Sequence, residues 1–243
     1  QDGHSHILSS TIPNCLSYDP TFSYEIAAII KDGIQKMYVE NKNYFYYITT
    51  MNENYEQPEM PEGSEEGIIK GLYKFKSCNN PQVRLVGSGS ILRESIKAAK
   101  LLQNYGIDSE VWSATSFNLL RKEGMEVERE NQLNPTLEQK TSYVSECFND
   151  SDIPIIATTD YMRSYAEQIR PYITSQYTVL GTDGFGRSDS REKLREFFEI
   201  DSSSITRAAA YSLFKENKID KVMLEKIYND MNIDASKPNP WEV

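Results

Sequence analysis

The stretch of sequence that determines the fold is VRLVGSGSILRESIKAAKLLQNYGIDSEVWS, residues 83–113. Its apolar residues at 83–86 predict a short strand, and the apolar spacing over 92–102 predicts a helix. Gly106 follows at the place where a helix commonly ends in a left-handed glycine. The residues at 110–113 then predict a second strand, so the stretch forms a βαβ unit with a right-handed connection.

The same alternation continues toward the C-terminus. The further expected elements are a strand at 153–157, a helix at 161–169 N-capped by Asp160, a strand at 177–180, and helices after Asp201 and Asp220. Residues 118–147 contain helical pieces whose ends the pattern does not define. Strands that alternate with helices indicate an α/β fold, with a mostly parallel sheet and helices on both faces.

The N-terminal segment has a different pattern. Apolar spacing over 22–37 predicts a helix, and the aromatic and β-branched run at 44–50 predicts a buried strand. Because only about 20 residues precede this helix, we expect most strands of its sheet to lie upstream of Gln1 or in another chain. The Glu- and Pro-rich stretch that follows is typical of a linker. The expected division is therefore a domain tail at 1–56, a linker at 57–68 and a second domain at 69–243.

The composition excludes several classes of partner. The chain has 26 Lys and Arg against 36 Asp and Glu, and its formal net charge is −10. Nucleic acids and anionic membranes bind clustered cations, so neither is an expected partner. The three cysteines are an odd number without C-x-x-C spacing, which argues against a disulfide framework or a thiolate zinc site. A cytoplasmic location is the expectation.

The motif Gly87-x-Gly89 stands between a predicted strand and a helix, as in dinucleotide-binding folds. The third glycine of that fingerprint is missing, since Leu92 takes its place, and no convincing ribose-binding acid follows the next strand. A plain tight turn is the favoured interpretation.

The glycine-rich loop, Gly181 to Arg191, follows the strand at 177–180. Loops at the carboxyl ends of strands bind ligands in α/β sheets, and Arg187 and Arg191 could receive an anion. The alternative, which we favour on sequence alone, is a long turn with a helix cap at Ser188 or Ser190.

His4 and His6 are the only histidines of the chain. An extended strand would place both imidazoles on one face. A neutral imidazole can donate or accept a hydrogen bond or bind a metal near pH 7. A metal site is not expected, because no further histidine or ordered carboxylate cluster lies nearby in sequence. Composition favours a frayed terminus.

Several long motifs together resemble the C-terminal part of the single-chain, homodimeric type of bacterial pyruvate dehydrogenase, a transketolase-like family. The resemblance runs from the first residue to Asn239-Pro240. The motifs are DGHSH at 2–6, IPNC at 12–15, YYITTMNENY at 46–55, GSGSILR at 87–93, VWS at 111–113 with TSF at 115–117, and LGTDGFGRSDSR at 180–191.

The resemblance implies a parent enzyme that uses thiamine diphosphate and Mg²⁺ at a dimer interface. The family's Gly-Asp-Gly signature is absent here, since none of the Asp-Gly pairs at 2–3, 32–33 and 183–184 follows a glycine. We therefore expect the fragment to bind no cofactor and no metal, and to be inactive alone.

By the same resemblance, His6 stands where transketolases carry a substrate-contacting histidine. His6, with His4 less surely, would face the cofactor and pyruvate as a donor of pKa near neutrality. Residues 51–55 lack the arginine that sugar-phosphate-using relatives carry there, which suits a small unphosphorylated acid.

The implied function is decarboxylation of pyruvate and transfer of the acetyl unit to a lipoyl group on the acyltransferase core of the complex, by a homodimer with a transketolase-like interface. The alternative is a docking or assembly module whose contact loop is 181–191. A free-standing nucleotide-binding domain rests on Gly87-x-Gly89 alone.

Overall fold

The computed structural model describes residues 2–242; Gln1 and Val243, the outer limits of the two predicted domains, lie outside the described residues. The N-terminal region contains α1 (Ser5–Ser9), β1 (Cys15–Tyr18), α2 (Ser23–Ile34, continued by a π-helical turn at Gln35–Val39) and β2 (Phe45–Ile48). The rest of the chain contains α3 (Glu65–Lys70), β3 (Tyr73–Lys76), β4 (Val83–Gly87), α4 (Leu92–Gln103), β5 (Ser109–Ser113), α5 (Phe117–Leu133), α6 (Tyr143–Phe148), β6 (Ile155–Thr158), α7 (Arg163–Glu167), β7 (Tyr177–Leu180), α8 (Arg191–Phe197), α9 (Ser202–Lys215) and α10 (Lys221–Asp230).

The larger sheet has five strands in the order β3-β5-β4-β6-β7. All neighbouring pairs are parallel except β3 and β5, which are antiparallel. The α/β fold class with a mostly parallel sheet is confirmed. β3 was not predicted. Its aromatic residues alternate with lysines, as in a short strand at the edge of a sheet, whereas the prediction relied on the continuous apolar runs of buried strands.

Helices cover both faces of this sheet. Leu85 packs with α4 and α9 on one face, whereas its neighbour Val86 packs with α5, α6 and α7 on the other. All five residues of β4 are buried, as expected for a central parallel strand between two helical layers.

Several predicted helix boundaries are confirmed. The carboxylates of Asp201 and Asp220 accept the backbone N–H of Ser204 at 3.0 Å and of Met223 at 2.8 Å, and so cap α9 and α10. Gly106, with φ of +72°, follows α4 in the left-handed region. The unbounded pieces of 118–147 are α5 and α6.

The smaller sheet consists of β1 and β2, paired in parallel over four residues. The prediction that the strand at 44–50 is buried is wrong: no residue of β2 is fully buried, and Phe45 is 41% exposed. Aromatic and β-branched residues favour a strand, but burial requires neighbours, and within residues 2–242 β2 pairs only with β1. That the remaining strands belong to another part of the protein stays a prediction.

The two regions meet at the carboxyl ends of β1 and β5. Asp19 donates its backbone N–H to the carbonyl oxygen of Thr115 at 2.8 Å, and the Ser116 hydroxyl donates to the carbonyl of Ser17 at 2.6 Å. α3 begins inside the predicted linker. None of the helices within residues 2–242 is long and apolar enough to cross a membrane. Backbone hydrogen bonds from Gly89 to Asp19 at 3.0 Å, from Ser88 to Thr158 at 3.1 Å and from Thr159 to Leu180 at 3.1 Å bring the ends of β1, β4, β6 and β7 to one edge, where α1 also lies.

Candidate functional site

A cleft of about 560 Å³ lies between the N-terminal residues and the glycine-rich loop 181–191. The lining side chains and backbone come from Asp2, Gly3, His4, Met51, Asp160, Tyr161, Thr182, Gly184, Gly186, Arg187, Asp189, Ser190, Arg191, Leu194, Arg195, Phe198 and Ile200. The structure thus brings His4 and the predicted ligand loop to one site, although 177 or more residues separate them in sequence.

The N-terminal residues are held in place by their own turn. The Asp2 carboxylate accepts the backbone N–H groups of His4 at 3.1 Å and Ser5 at 3.0 Å, a side-chain turn that begins α1. The Gly3 carbonyl oxygen accepts the N–H of Met162 at 3.1 Å and ties this turn to the segment after β6. The extended conformation that would place both imidazoles on one face is not adopted, since residues 5–9 are helical.

His6 is fully buried, so the alternative of a frayed terminus is wrong. Its imidazole stacks on Tyr165 with 4.8 Å between ring centroids, and the edges of Tyr161 and Tyr47 lie at 4.6 and 5.4 Å. Burial lowers the pKa of His6 to about 4, because the imidazolium form loses its hydration, and the charge of Asp2 offsets only part of this. The expected pKa near neutrality is wrong, and the ring is neutral at pH 7.

His4 is exposed and lines the cleft. The two histidines therefore do not share one face: His4 faces the cleft and His6 faces the protein interior. Two residues apart in a helical turn differ in direction by about 200°, which accounts for the separation.

A buried aspartate lies directly behind His6. The Thr49 hydroxyl is 3.0 Å from Nε2 of His6 and 2.7 Å from Oδ1 of Asp19, and the Ser88 hydroxyl is 3.0 Å from Oδ2 of Asp19. Burial raises the pKa of Asp19 to about 7, against the effect of these two hydrogen bonds. Neither Asp19 nor Thr49 was predicted; the only signal was an acidic residue at the end of a short strand.

The same aspartate closes the Gly87-x-Gly89 turn. Gly89 has φ of +53°, and a Cβ at this position would overlap the carboxylate of Asp19. A carboxylate thus lies against the turn on the side where a side chain of residue 89 would point. The motif is a tight strand-to-helix turn, the interpretation favoured from the sequence, and the negative charge beside it disfavours a bound phosphate.

The glycine-rich loop begins where only glycine fits: a Cβ on Gly181 would lie 2.7 Å from the carbonyl oxygen of Tyr161. Asp183 accepts the backbone N–H of Arg163 at 3.0 Å, at the start of α7. The prediction that Asp160 caps this helix is therefore wrong. The helix begins at Arg163, and Asp183, from the loop after β7, accepts a hydrogen bond at its N-terminus. Ser190 caps α8, as the sequence predicted.

A cluster of ion pairs joins this loop to the segment after β2. Arg191 donates to the side-chain oxygen of Asn52 at 2.6 Å, while Arg93 and Arg195 lie 2.8 and 3.5 Å from the carboxylate of Glu53. Burial alone would raise the pKa of Glu53, but the hydrogen bond and charge of Arg93 lower it overall. Sequence reasoning missed Arg195, although it lies four residues after Arg191 and hence on the same helical face.

Comparisons with known proteins agree along the whole chain. The family of transketolase-like TK C-terminal domains matches residues 71–201, and the pyruvate dehydrogenase E1 component middle domain matches residues 1–58. Pyruvate dehydrogenase E1 components from Pseudomonas aeruginosa and Escherichia coli K12 are 53% and 51% identical in alignments of 247 and 245 positions, gaps included, that cover 100% and 99% of this chain. The chain spans only 28% and 27% of these relatives' length.

Solved structures of transketolases share the fold. A Pichia stipitis transketolase in complex with sedoheptulose-7-phosphate superimposes with a TM-score of 0.60 at 18% identity, covering 86% of this chain and 26% of that one. The transketolase of Leishmania mexicana gives 0.57 at 16% identity, covering 86% and 27%. The chain belongs to the transketolase-like family with a TK C-terminal domain, and within it to the pyruvate dehydrogenase E1 components.

Proposed function

We propose that this chain is the C-terminal part of the component of the pyruvate dehydrogenase complex that decarboxylates pyruvate and transfers the acetyl unit to a lipoyl group. The cleft in which His4 meets the glycine-rich loop carries the proposal, because three of the motifs shared with that family, at 2–6, 46–55 and 180–191, supply lining residues to it. Pyruvate and the lipoyl-bearing acyltransferase core are the proposed partners, and the protein would act as a cytoplasmic homodimer. Residues 1–56, 57–68 and 69–243 are the proposed middle-domain tail, linker and C-terminal domain.

His6 and His4 are the proposed catalytic residues. His4 can reach a molecule in the cleft directly. His6 is neutral at pH 7 and uses Nε2 on Thr49, so it would serve as a fixed polar group rather than as an acid. The absence of arginine at 51–55 favours a small unphosphorylated acid as substrate.

The described residues do not fit thiamine diphosphate and Mg²⁺ as a complete site. No group of three His, Cys, Asp or Glu side chains within residues 2–242 could hold a metal ion. We therefore propose that this chain alone binds no cofactor and is inactive, and we derive no reaction step through the cofactor.

A docking or assembly module is the second candidate. The loop 181–191 forms a large part of the cleft wall, with Arg187, Ser190 and Arg191 among the lining residues, and this favours a docking role. Under this alternative the loop contacts the complex, and the chain has no chemistry of its own.

Calorimetry with thiamine diphosphate and Mg²⁺ separates the two candidates. We expect no binding by this chain alone. A chimera in which the chain replaces the matching region of the Pseudomonas aeruginosa relative is expected to bind the cofactor and to decarboxylate pyruvate. Saturable cofactor binding by the isolated chain would refute the proposal, and cofactor-independent association with the acyltransferase core would favour the docking module.

The role of His6 is tested in the same chimera. His6→Ala is expected to lower kcat by about 10²-fold, the lower range for a lost acid–base or polarising group, and to change cofactor affinity much less. Leu8→Ala is the matched control, because Leu8 lies on the same helix and is 65% exposed. Unchanged turnover of His6→Ala would leave the histidine without a catalytic role.

A further inference from the structure

Three side chains form a continuous hydrogen-bonded chain behind the cleft. Nε2 of His6 lies 3.0 Å from the Thr49 hydroxyl oxygen, and that oxygen lies 2.7 Å from Oδ1 of Asp19. They come from α1, from the end of β2 and from the end of β1. His6 and Asp19 are buried, and α1 is fixed further by Asn118, which donates to the His6 carbonyl oxygen at 2.7 Å.

The direction of this chain follows from counting protons. A hydroxyl has one proton to donate, and an ionised carboxylate can only accept. When Asp19 is ionised, Thr49 donates to it, and the Thr49 oxygen is left to accept from His6. The proton of the neutral imidazole is then on Nε2, and Nδ1 carries a lone pair. Nδ1 of His6 is buried and has no hydrogen-bond partner among the described residues.

Asp19 is itself fixed from the other side. Its second oxygen accepts the Ser88 hydroxyl at 3.0 Å, and its carbonyl oxygen accepts the N–H of Gly89 at 3.0 Å. The glycine turn therefore holds both the side chain and the backbone of Asp19 in place. Because Ser88 touches only Oδ2, its removal leaves the link through Thr49 to His6 intact.

We propose that Asp19, acting through Thr49, is a positioning residue for His6: it holds the imidazole proton on Nε2 and so fixes the buried ring in one tautomer and one orientation. The catalytic meaning of this arrangement rests on the proposed function, but the arrangement itself is a property of this chain. This role also accounts for the carboxylate of Asp19, whose burial costs free energy because the group loses its hydration.

The ionisation of Asp19 controls the arrangement. Burial raises the pKa of Asp19 to about 7, so the carboxylate is ionised well above neutral pH. Asp160 and Glu25 are the charged groups that act on it, and both favour its protonated form. His6 is faced by Asp2, Asp19, Tyr47, Tyr161 and Tyr165. When Asp19 is protonated, the Thr49 hydroxyl can still donate to the Tyr18 carbonyl oxygen at 3.3 Å, a longer contact, so the preference for Nε2–H weakens without being lost.

The test is nuclear magnetic resonance of isotope-labelled histidine in the full chain, which has only two imidazoles. Ring nitrogen shifts distinguish the two tautomers, and exposed His4 serves as the internal reference. Above pH 8, His6 is expected as the Nε2–H tautomer by about tenfold or more, the ratio that one hydrogen bond to a charged network supports. A wild-type His6 that is mainly Nδ1–H, or an even mixture, overturns the proposal without any variant.

Three variants assign the effect to the chain of hydrogen bonds. Thr49→Val is expected to bring the Nδ1–H population up by about tenfold, the loss of that one hydrogen bond, whereas Thr49→Ser retains the wild-type tautomer. Ser88→Ala removes a hydrogen bond that lowers the pKa of Asp19, so it is expected to leave the tautomer unchanged only at a pH well above 8, where Asp19 is still ionised. A wild-type tautomer in folded Thr49→Val contradicts the proposal. If Thr49→Val does not fold, Thr49→Ser and the wild-type measurement still decide it.

A catalytic readout separates this proposal from the proposed function. In the chimera, Thr49→Val should lower kcat without changing cofactor affinity, and Thr49→Ser should restore it. A tautomer fixed as expected in a chimera without pyruvate decarboxylation would count against the proposed function alone.

Discussion

Strands are buried to different degrees in the N-terminal region and in the five-stranded domain. Every residue of β4 is buried, because β5 and β6 flank it and helices cover both faces. In β2 no residue is fully buried, although its sequence is richer in aromatic side chains. Residue types therefore predict a strand, whereas the number of neighbouring elements determines how much of it is buried.

The contact between the two regions differs from both interiors. It is made largely of polar groups, with Asp19 buried between Thr49 and Ser88, and Glu25 fully buried between Tyr73 and Ser113. Burial raises the pKa of both carboxyls. Buried hydrogen bonds fix the orientation of the two regions, but the polar groups lose their hydration. The candidate site therefore lies where hydrogen bonds, more than apolar packing, determine the structure.

The largest expected difference is in the cost of cutting back an aliphatic core residue. Leu85→Ala in β4 is expected to lower the free energy of unfolding by about 2–5 kcal/mol, since Leu85 is fully buried between helices. Ile48→Ala in half-buried β2 is expected to cost about 1 kcal/mol, in proportion to the smaller area removed from water. Urea denaturation followed by circular dichroism measures both. Equal losses would mean that the two strands are equally covered in solution, and the comparison would fail.

The next expected effect concerns the polar contact and depends on pH. Because the pKa of Asp19 rises from 3.8 in the unfolded chain to about 7, the folded protein keeps this proton to higher pH. Stability from this group is therefore present below pH 4, declines between about pH 4 and 7, and is constant above. Asp19→Asn removes the decline, so the stability of the variant relative to wild type should rise by up to about 4 kcal/mol between pH 4 and 8.

Denaturant unfolding of both proteins at a series of pH values measures this. His6 works in the opposite direction: burial lowers its pKa to about 4, so it adds stability as the pH rises from 4 toward 6.5. Its titration is present in both proteins, so the difference between them reports mainly on Asp19. Glu59→Gln, at an exposed position, controls for the loss of one negative charge. A relative stability that does not change with pH would show that Asp19 is not a desolvated carboxylate.

Sequence patterns predicted what depends on local contacts. The βαβ unit of 83–113 and the caps at Asp201 and Asp220 involve residues close together in sequence, so spacing alone reveals them. The glycine-rich loop and His4 were each predicted as candidates, but their proximity in one cleft was not predicted. The burial of His6 could not be predicted, because it is created by tyrosines that lie in β2 and more than 150 residues downstream. Asp19 and Thr49 carry no motif, and only the tertiary contact makes them partners of His6.

The smallest expected effect lies on the exposed face of α2. Ile29 and Ile34 belong to the same helix, but Ile29 is fully buried and Ile34 is 53% exposed. Ile34→Ala is expected to change the free energy of unfolding by about 0.5 kcal/mol or less, since a little lost burial is offset by the better helix propensity of alanine. Ile29→Ala is the matched control and should cost several times more. A loss for Ile34→Ala as large as for Ile29→Ala, or one that grows with protein concentration, would mean that this face is covered by another surface in solution. The N-terminal region would then be better packed than its two-stranded sheet suggests, and its difference from the five-stranded domain would be a property of the isolated chain alone.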